Sequence, residues 1–263
     1  MTQSSLAHYL TIAERCADIA RQTVMPYFRS PLNVDSKGDD SPVTLADQQA
    51  EEKMRALLSD HFPQHSILGE EGGQNGTLDD EWLWVLDPID GTRAFVTGRP
   101  TFCTLIALLH RGKPVLGVID QPATEERWTG IEGQKTRYHS ARFPGKINPR
   151  ACPSLSEAEL SCTAPEIIRP IMRPAFERLQ AATRRTSWGG DAYAFGLLTL
   201  GSIDLITEDT MKPWDWAALV PVVQGAGGSM TDWHGNPLRL EGDGSVLACG
   251  NPALLSDVIR TLS

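Results

Sequence analysis

The chain has 263 residues, 41% of them hydrophobic and 22% charged, and a formal net charge of −9. That length supports one large domain or two smaller ones sharing an interface, with a sizeable core. The acidic balance and the lack of a Lys/Arg cluster argue against a nucleic-acid binder, and the short pair Arg184-Arg185 reads as solvated surface. An acidic protein can still take an anionic phosphate when metal ions supply positive charge locally. Five widely spread cysteines, odd in number and without a CxxC, indicate neither a disulfide framework nor a zinc knuckle. Reduced thiols in a cytoplasmic protein are the expectation. Met1 to Leu10 lacks a basic stretch leading into an apolar one, and no apolar run reaches the roughly 18 residues of a membrane span.

From Ser5 to about Met25, apolar residues recur at Leu6, Leu10, Ala13, Cys16, Ala17, Ala20 and Val24, which predicts a helix. Pro31 to Ser41 reads as a loop. A second helix is expected from Thr44 to His61 through Leu45, Met54, Leu57 and Leu58, stopping before Pro63. Ser66 to Leu68 predicts a short strand leading to Gly69-Glu70-Glu71, and Gly72 to Leu78 a turn-rich loop. The apolar run Trp82 to Leu86 fits a strand buried on both faces that ends on Asp87. Thr104–Leu109 and Val115–Ile119 predict a hairpin about Arg111-Gly112-Lys113.

Farther on, residues 140–152 carry little pattern. Strands are expected at Glu157–Cys162 and Ile203–Thr207, and helices at Ile168–Ala182, Ala192–Leu200 and Trp216–Gln224. The first of these three has an ill-defined start because of Pro170 and Pro174. Gly225-Ala226-Gly227-Gly228 follows a helix, so it reads as a C-cap rather than a phosphate loop, which should precede one. The division expected is an N-terminal α+β lobe over 1–140 and a C-terminal α/β lobe over 141–263.

The chemistry concentrates at Asp87-Pro88-Ile89-Asp90-Gly91-Thr92. Asp87 and Asp90 stand three apart around Pro88, and a turn there aims both carboxylates at one point. Pro88 biases Asp87 towards extended backbone. Hard cations such as Mg²⁺ take oxygen ligands, and the Ile89 carbonyl in the same turn can add one. Gly91 permits close backbone approach. Thr92 to Val96 can begin a helix whose free N–H groups face a phosphate. A lone D-x-x-D more often shapes a turn or caps a helix. The balance shifts with Gly69-Glu70-Glu71 upstream, Trp214-Asp215 downstream, and Thr44 and Asp47 at a helix start. The six histidines are scattered and form no metal motif.

Taken together, Asp47, Gly69-Glu70-Glu71, Asp87 to Thr92 and Trp214-Asp215 resemble the inositol monophosphatase superfamily over almost the whole chain. The resemblance implies a layered αβαβα sandwich, usually a homodimer. It implies that Glu70, Asp87 and the Ile89 carbonyl bind one Mg²⁺, and that Asp87, Asp90 and Asp215 bind a second. A third, weaker ion would use Glu70 and water. Asp47 and Thr92 would orient and deprotonate the attacking water, and the Gly91 and Thr92 N–H groups would hold the phosphate. In-line phosphoryl transfer agrees with this, because entering and leaving oxygens both need positive charge nearby. Oxygen ligands do not separate Mg²⁺ from Mn²⁺.

The run Asp90-Gly91-Thr92-Arg93-Ala94-Phe95-Val96-Thr97-Gly98-Arg99-Pro100, the strand Thr104 to Leu108 and Gly189-Gly190-Asp191-Ala192-Tyr193 are similar to the histidinol-phosphate phosphatase branch. That branch implies hydrolysis of L-histidinol phosphate. Histidinol carries a cationic amine, and by the same resemblance Asp191 and Glu208 face it. Two plainer readings stand beside these: Asp191 as N-cap of the helix from 192, and Glu208 as a polyol-binding carboxylate. The alternatives are an inositol-1-monophosphatase, a 3′-phosphoadenosine 5′-phosphate phosphatase and a non-catalytic, metal-dependent binding protein.

Overall fold

The structure, a computed structural model, describes residues 3–30 and 42–263. The loop expected over 31–41 lies outside the described residues. The first helix, α1 (Gln3–Val24), buries the stripe expected of it: Leu6, Leu10, Ala13, Cys16, Ala17, Ala20 and Val24. The second, α2 (Pro42–His61), buries Ala46, Ala50, Met54 and Leu58, whereas Leu45 is exposed. Its buried stripe therefore runs through small residues that let α2 lie close to its neighbours, and not through Leu45.

Two sheets follow. The first joins seven strands in the order β2-β1-β3-β4-β5-β6-β7. Their ranges are β1 (Ser66–Gly69), β2 (Gly73–Asn75), β3 (Trp82–Asp90), β4 (Cys103–His110), β5 (Lys113–Gln121), β6 (Glu126–Ile131) and β7 (Arg137–Ser140). β1 and β3 are parallel, and the other neighbours are antiparallel. The hairpin of β4 and β5 turns through Arg111 and Gly112, both with positive φ, as a tight two-residue turn requires. The segment expected as an irregular loop after Glu71 contains β2, which pairs back on β1. A short helix, α3 (Thr92–Val96), leaves the end of β3.

The second sheet has the order β11-β12-β10-β8-β9, from β8 (Glu159–Cys162), β9 (Arg185–Trp188), β10 (Leu205–Glu208), β11 (Ser229–Thr231) and β12 (Val246–Cys249). The remaining helices are α4 (Arg173–Ala182), α5 (Asp191–Thr199), α6 (Pro213–Trp216), α7 (Leu219–Gly225) and α8 (Leu255–Leu262). The single helix expected over Trp216–Gln224 is interrupted between α6 and α7. Pro221 explains the break, since it has no N–H and its ring opposes the carbonyl four residues back, that of Ala217. α7 ends in the glycine run, with Gly227 at φ 95° and the Gly228 N–H bonded to the Val223 carbonyl, which is the C-cap expected.

The side chains sort into three cores and five layers. α1 and α2 pack on Trp84, Leu86, Ile106, Leu108, Leu116 and Val118 of the first sheet. Its opposite face, with Leu83, Val85, Leu105, Ala107, Ile119 and Trp128, meets α5, α6 and α7. The same helices rest on Ile206, Val246 and Ala248 of the second sheet. Leu160, Leu205 and Leu247 on that sheet's far face meet α4 and α8. The result is the αβαβα sandwich. All five cysteines are buried and unpaired, and no helix among the described residues is long and apolar enough to cross a membrane.

The middle helices sit directly on backbone. A Cβ on Gly117 would lie 2.0 Å from the Ala218 carbonyl oxygen, and one on Gly130 2.4 Å from the Pro221 carbonyl carbon. Neither neighbour is a movable side-chain end. Gly130→Ala should therefore destabilise the protein by about 1–3 kcal/mol or more, read as a lower urea midpoint. Gly250→Ala, where φ is not left-handed and the nearest atom to the added carbon is 3.4 Å away, is the control and should cost less.

Candidate active site

β1 and β3 run parallel, so their C-terminal ends deliver Glu70 and Asp87 to the same edge of the first sheet. On a regular strand, residues three apart face opposite sides. Asp87 and Asp90 nevertheless converge, because the pairing of β3 with β4 shifts register between them. The strand continues through the motif as a bulge, where the sequence suggested that it ends in a turn. Pro88 cannot donate to the ladder. Its carbonyl accepts the Thr104 hydroxyl at 2.8 Å, and the Ile89 N–H turns back to Asp87 Oδ1 at 3.0 Å. A bulge of this kind re-aims side chains.

Asp215 arrives from α6, where it accepts the Lys212 N–H at 2.7 Å. Oxygens of Asp87, Asp90 and Asp215 lie within 4.8 Å of one another, and so do those of Asp47, Glu70 and Glu71. Glu70 joins the two groups, being close enough to Asp87 to share a proton. Gly91, at φ 84°, leads into α3, and the Thr92 hydroxyl donates to the Ile89 carbonyl at 3.3 Å. The positions implied for metal, water and phosphate thus meet in one place.

So many carboxylates in one place repel. Burial, then the Glu71 and Glu70 charges, push Asp47 up to about 8. Partial desolvation, then Asp215 and Glu71, push Glu70 up to about 7. Burial, then Asp90 and Glu70, hold Asp87 well above the usual carboxylate range. Asp90 is raised likewise by burial, Asp191 and Asp215. Burial lifts Asp215 to about 6 although Lys212 opposes it. The buried Oδ1 of Asp47 has no hydrogen-bond partner. Divalent cations fit this site: the donors are all oxygens, and positive charge would relieve every one of these shifts.

The sequence reading gave no role to Glu71, although it named Gly69-Glu70-Glu71, and did not single out Glu51. Glu71 belongs to the acidic group beside Asp47. Glu51, 1% exposed, accepts the N–H groups of Glu71 and Gly72 at 2.9 Å each and pairs with Arg55. It fixes the turn that presents Glu70, and a Cβ on Gly69 would run into its carboxylate. The available signal was spacing: Asp47, Glu51 and Arg55 lie four apart and share a helix face.

Asp191 and Glu208 reach the same site. With Asp90, Asp215, Thr163, Ile167, Phe195 and Met211 they line a pocket of about 190 Å³. Glu208 is buried at the end of β10, accepts the Thr163 N–H and hydroxyl at 2.9 and 3.0 Å, and is pushed up to about 8, chiefly by burial. Asp191 lies over Gly91, where a Cβ would be 2.9 Å from its carboxyl carbon. The N-cap reading of Asp191 is not met. Asp191 is the first helical residue, at φ 45°, and the Ala192 N–H bonds Asp90 at 2.7 Å instead. Asp90 wins because α5 points its free N–H groups at the carboxylate cluster.

A cation-requiring acidic crater at the edge of an αβαβα sandwich defines a metal-dependent phosphatase. The chain belongs to the inositol monophosphatase family, whose model matches residues 5–263, and it is a phosphoric monoester hydrolase of small phosphate esters. It is 41% identical over 249 residues to the bifunctional phosphatase IMPL2 of Arabidopsis thaliana chloroplasts, across 94% of this chain and 71% of that protein. It is 34% identical over 238 residues to a histidinol-phosphatase of Mycobacterium tuberculosis, across 89% of this chain and 90% of that one. The fold superposes on an inositol monophosphatase from Zymomonas mobilis with a TM-score of 0.89 and 43% identity, covering 97% and 98% of the two chains.

Adding Mg²⁺ to chelator-treated protein should raise its melting temperature, with a gain of about 2.7 kcal/mol at a hundredfold excess over Kd. Asp87→Asn, which keeps the oxygen that accepts from Ile89, should melt no lower than wild type without metal and lose most of the gain. An unchanged gain would remove Asp87 from the cation site.

Proposed function

We propose that this enzyme hydrolyses L-histidinol phosphate to L-histidinol and inorganic phosphate, with Mg²⁺ as its metal. The observation that carries the substrate is the placement of Asp191 and Glu208 beside the carboxylate cluster. They are acidic groups in addition to the set a cation would occupy, and a cationic alcohol is the ligand that such a pocket favours. The name of the M. tuberculosis relative points the same way.

In this reading Glu70, Asp87 and the Ile89 carbonyl would hold one Mg²⁺, and Asp87, Asp90 and Asp215 a second. Glu70 with water would hold a weaker third. Bound Mg²⁺ supplies positive charge at the entering and leaving oxygens and lowers the pKa of water. The chain's own groups do the rest. Asp47, with its unpartnered Oδ1, takes the proton of the attacking water while the Thr92 hydroxyl orients it. The Gly91 and Thr92 N–H groups at the start of α3 hold the phosphate. Asp191 and Glu208 bind the amine and fix the leaving alcohol in line. Asp47 and Asp87 are buried, where charges act strongly, whereas Glu70 and Thr92 are exposed at the mouth through which the ester enters.

Inositol 1-phosphate is the second reading, since Glu208 can accept from sugar hydroxyls. For 3′-phosphoadenosine 5′-phosphate the cations of Arg184 and Arg185 are already directed at Glu159. From the unpaired cysteines we place the enzyme in the cytoplasm, and from the family resemblance as a homodimer, which light scattering would test.

With Mg²⁺ present, kcat/KM for L-histidinol phosphate should exceed that for inositol 1-phosphate by more than about 100-fold, roughly 2.7 kcal/mol of discrimination. Asp191→Ala should lower activity on histidinol phosphate about 10- to 100-fold and barely change inositol 1-phosphate. Equal losses would end the amine-binding role, and comparable wild-type rates would overturn the substrate while leaving the phosphatase intact.

A further inference from the structure

Asp191 occupies a conformation that needs holding. Gly189, Gly190 and Asp191 have φ of 77°, 144° and 45° in succession, and the last is a left-handed position on a residue with a Cβ. The Gly189 N–H bonds the Cys162 and Thr163 carbonyls at 3.2 and 2.9 Å, so on the other side the direction of Asp191 follows the seating of α5. That helix buries Ala192, Ala194, Phe195 and Leu198 in non-directional apolar contact, and the Ala192 N–H pins its first turn to Asp90 at one point. A rotation of about 5° around that point would shift the Asp191 carboxylate by roughly half an ångström at the ~6 Å reach of a helix side chain, enough to misalign a hydrogen bond.

One polar tie opposes this from outside the pocket. The Tyr193 hydroxyl donates to Glu126 Oε2 at 2.7 Å. Glu126 opens β6 in the first sheet and is 2% exposed. Its partners among the described residues are hydroxyls: Tyr193, Thr124 on the same oxygen at 2.6 Å, and Tyr138 of β7 on Oε1 at 2.7 Å. Burial and the hydrogen bond to Glu126 raise both tyrosines, Tyr138 to about 12, so both remain donors at neutral pH. The Tyr193 ring also stands edge-on to Trp128, at 5.9 Å between centroids, and Gly196 lets α5 settle against that indole. Tyr193 lies two residues after Asp191, on the same helical turn.

The geometry points to Tyr193 and Glu126 as positioning residues for substrate selection: their hydrogen bond locks the rotation of α5 and thereby aims Asp191 at the substrate's alcohol portion. This rests on the amine-binding role proposed for Asp191. It adds a specificity element rooted in the first sheet, in no contact with substrate. Tyr138 provides a built-in control, since it uses the same carboxylate but belongs to β7 and not to α5.

The test is steady-state kinetics of the Mg²⁺-loaded enzyme on L-histidinol phosphate and inositol 1-phosphate for Tyr193→Phe, Tyr138→Phe and Glu126→Gln, with melting temperatures for each. Tyr193→Phe should raise KM for histidinol phosphate about tenfold, the size of one lost hydrogen bond, with kcat within about twofold. Glu126→Gln keeps an oxygen acceptor and should fall between wild type and Tyr193→Phe. Tyr138→Phe should lower the melting temperature about as much as Tyr193→Phe yet leave KM unchanged. In an Asp191→Ala background the Tyr193→Phe effect should vanish. An additive effect in that background, or equal KM shifts for both tyrosine variants, overturns the proposal even when wild type prefers histidinol phosphate. A wild type without that preference condemns the substrate reading by itself, and the coupling of Tyr193 to Asp191 is then judged on the preferred ester. Asp191→Ala without effect on any ester overturns both.

Discussion

The constraint on which the structure depends is electrostatic: several carboxylates are gathered at one sheet edge, where each raises the proton affinity of the others. Such a cluster is unfavourable by itself and becomes favourable when a multivalent cation occupies it. The surrounding architecture is organised to hold the cluster together against that repulsion. The bulge in β3 turns Asp87 and Asp90 to a common side. Glu51 ties down the turn that carries Glu70 and Glu71. Lys212 steadies Asp215 through its own backbone N–H.

The same interactions join the two sheets. Asp215 comes from the middle helix layer, and Asp90 accepts the Ala192 N–H at the start of α5, so a carboxylate of the first sheet also terminates a helix packed against the second. Asp191, Glu208 and the acidic cluster are therefore parts of one connected arrangement. The strain that this arrangement tolerates, a left-handed Asp191 beside two glycines with positive φ, is located where a side chain is required to face the pocket.

Close backbone contact is the second theme. Gly117 and Gly130 let the middle helices approach the first sheet without intervening side chains, and Gly69 leaves room for the Glu51 carboxylate. Each removes a Cβ from a place where the site demands a short distance. The two helices of the outer layer use alanines for the same purpose, which is why the buried stripe of α2 runs through Ala46 and Ala50 and leaves Leu45 outside.

Much of this was legible in the chain itself. The 3.6-residue spacing in α1 is a local property, and it predicted the buried face residue by residue. The apolar run Trp82 to Leu86 announced a strand covered on both faces, and the motif after it located the acidic cluster, because closely spaced Asp, Pro and Gly constrain backbone and charge within a few bonds. The short strands β6, β7, β9, β11 and β12 carried no comparable signal, since their pairing is settled by partners far away in the sequence. Glu51 and Glu126 were equally silent: a carboxylate on a helix or at a strand end looks like any surface charge until folding brings its donors to it. The sequence by itself determined which residues could carry the chemistry and the class of chemistry they suit. Only the tertiary structure decided that β3 is bulged and not ended at Asp87, that Asp90 rather than Asp191 caps α5, and that Asp191 and Glu208 share one pocket, because these depend on contacts between residues 16, 102 and 45 positions apart respectively.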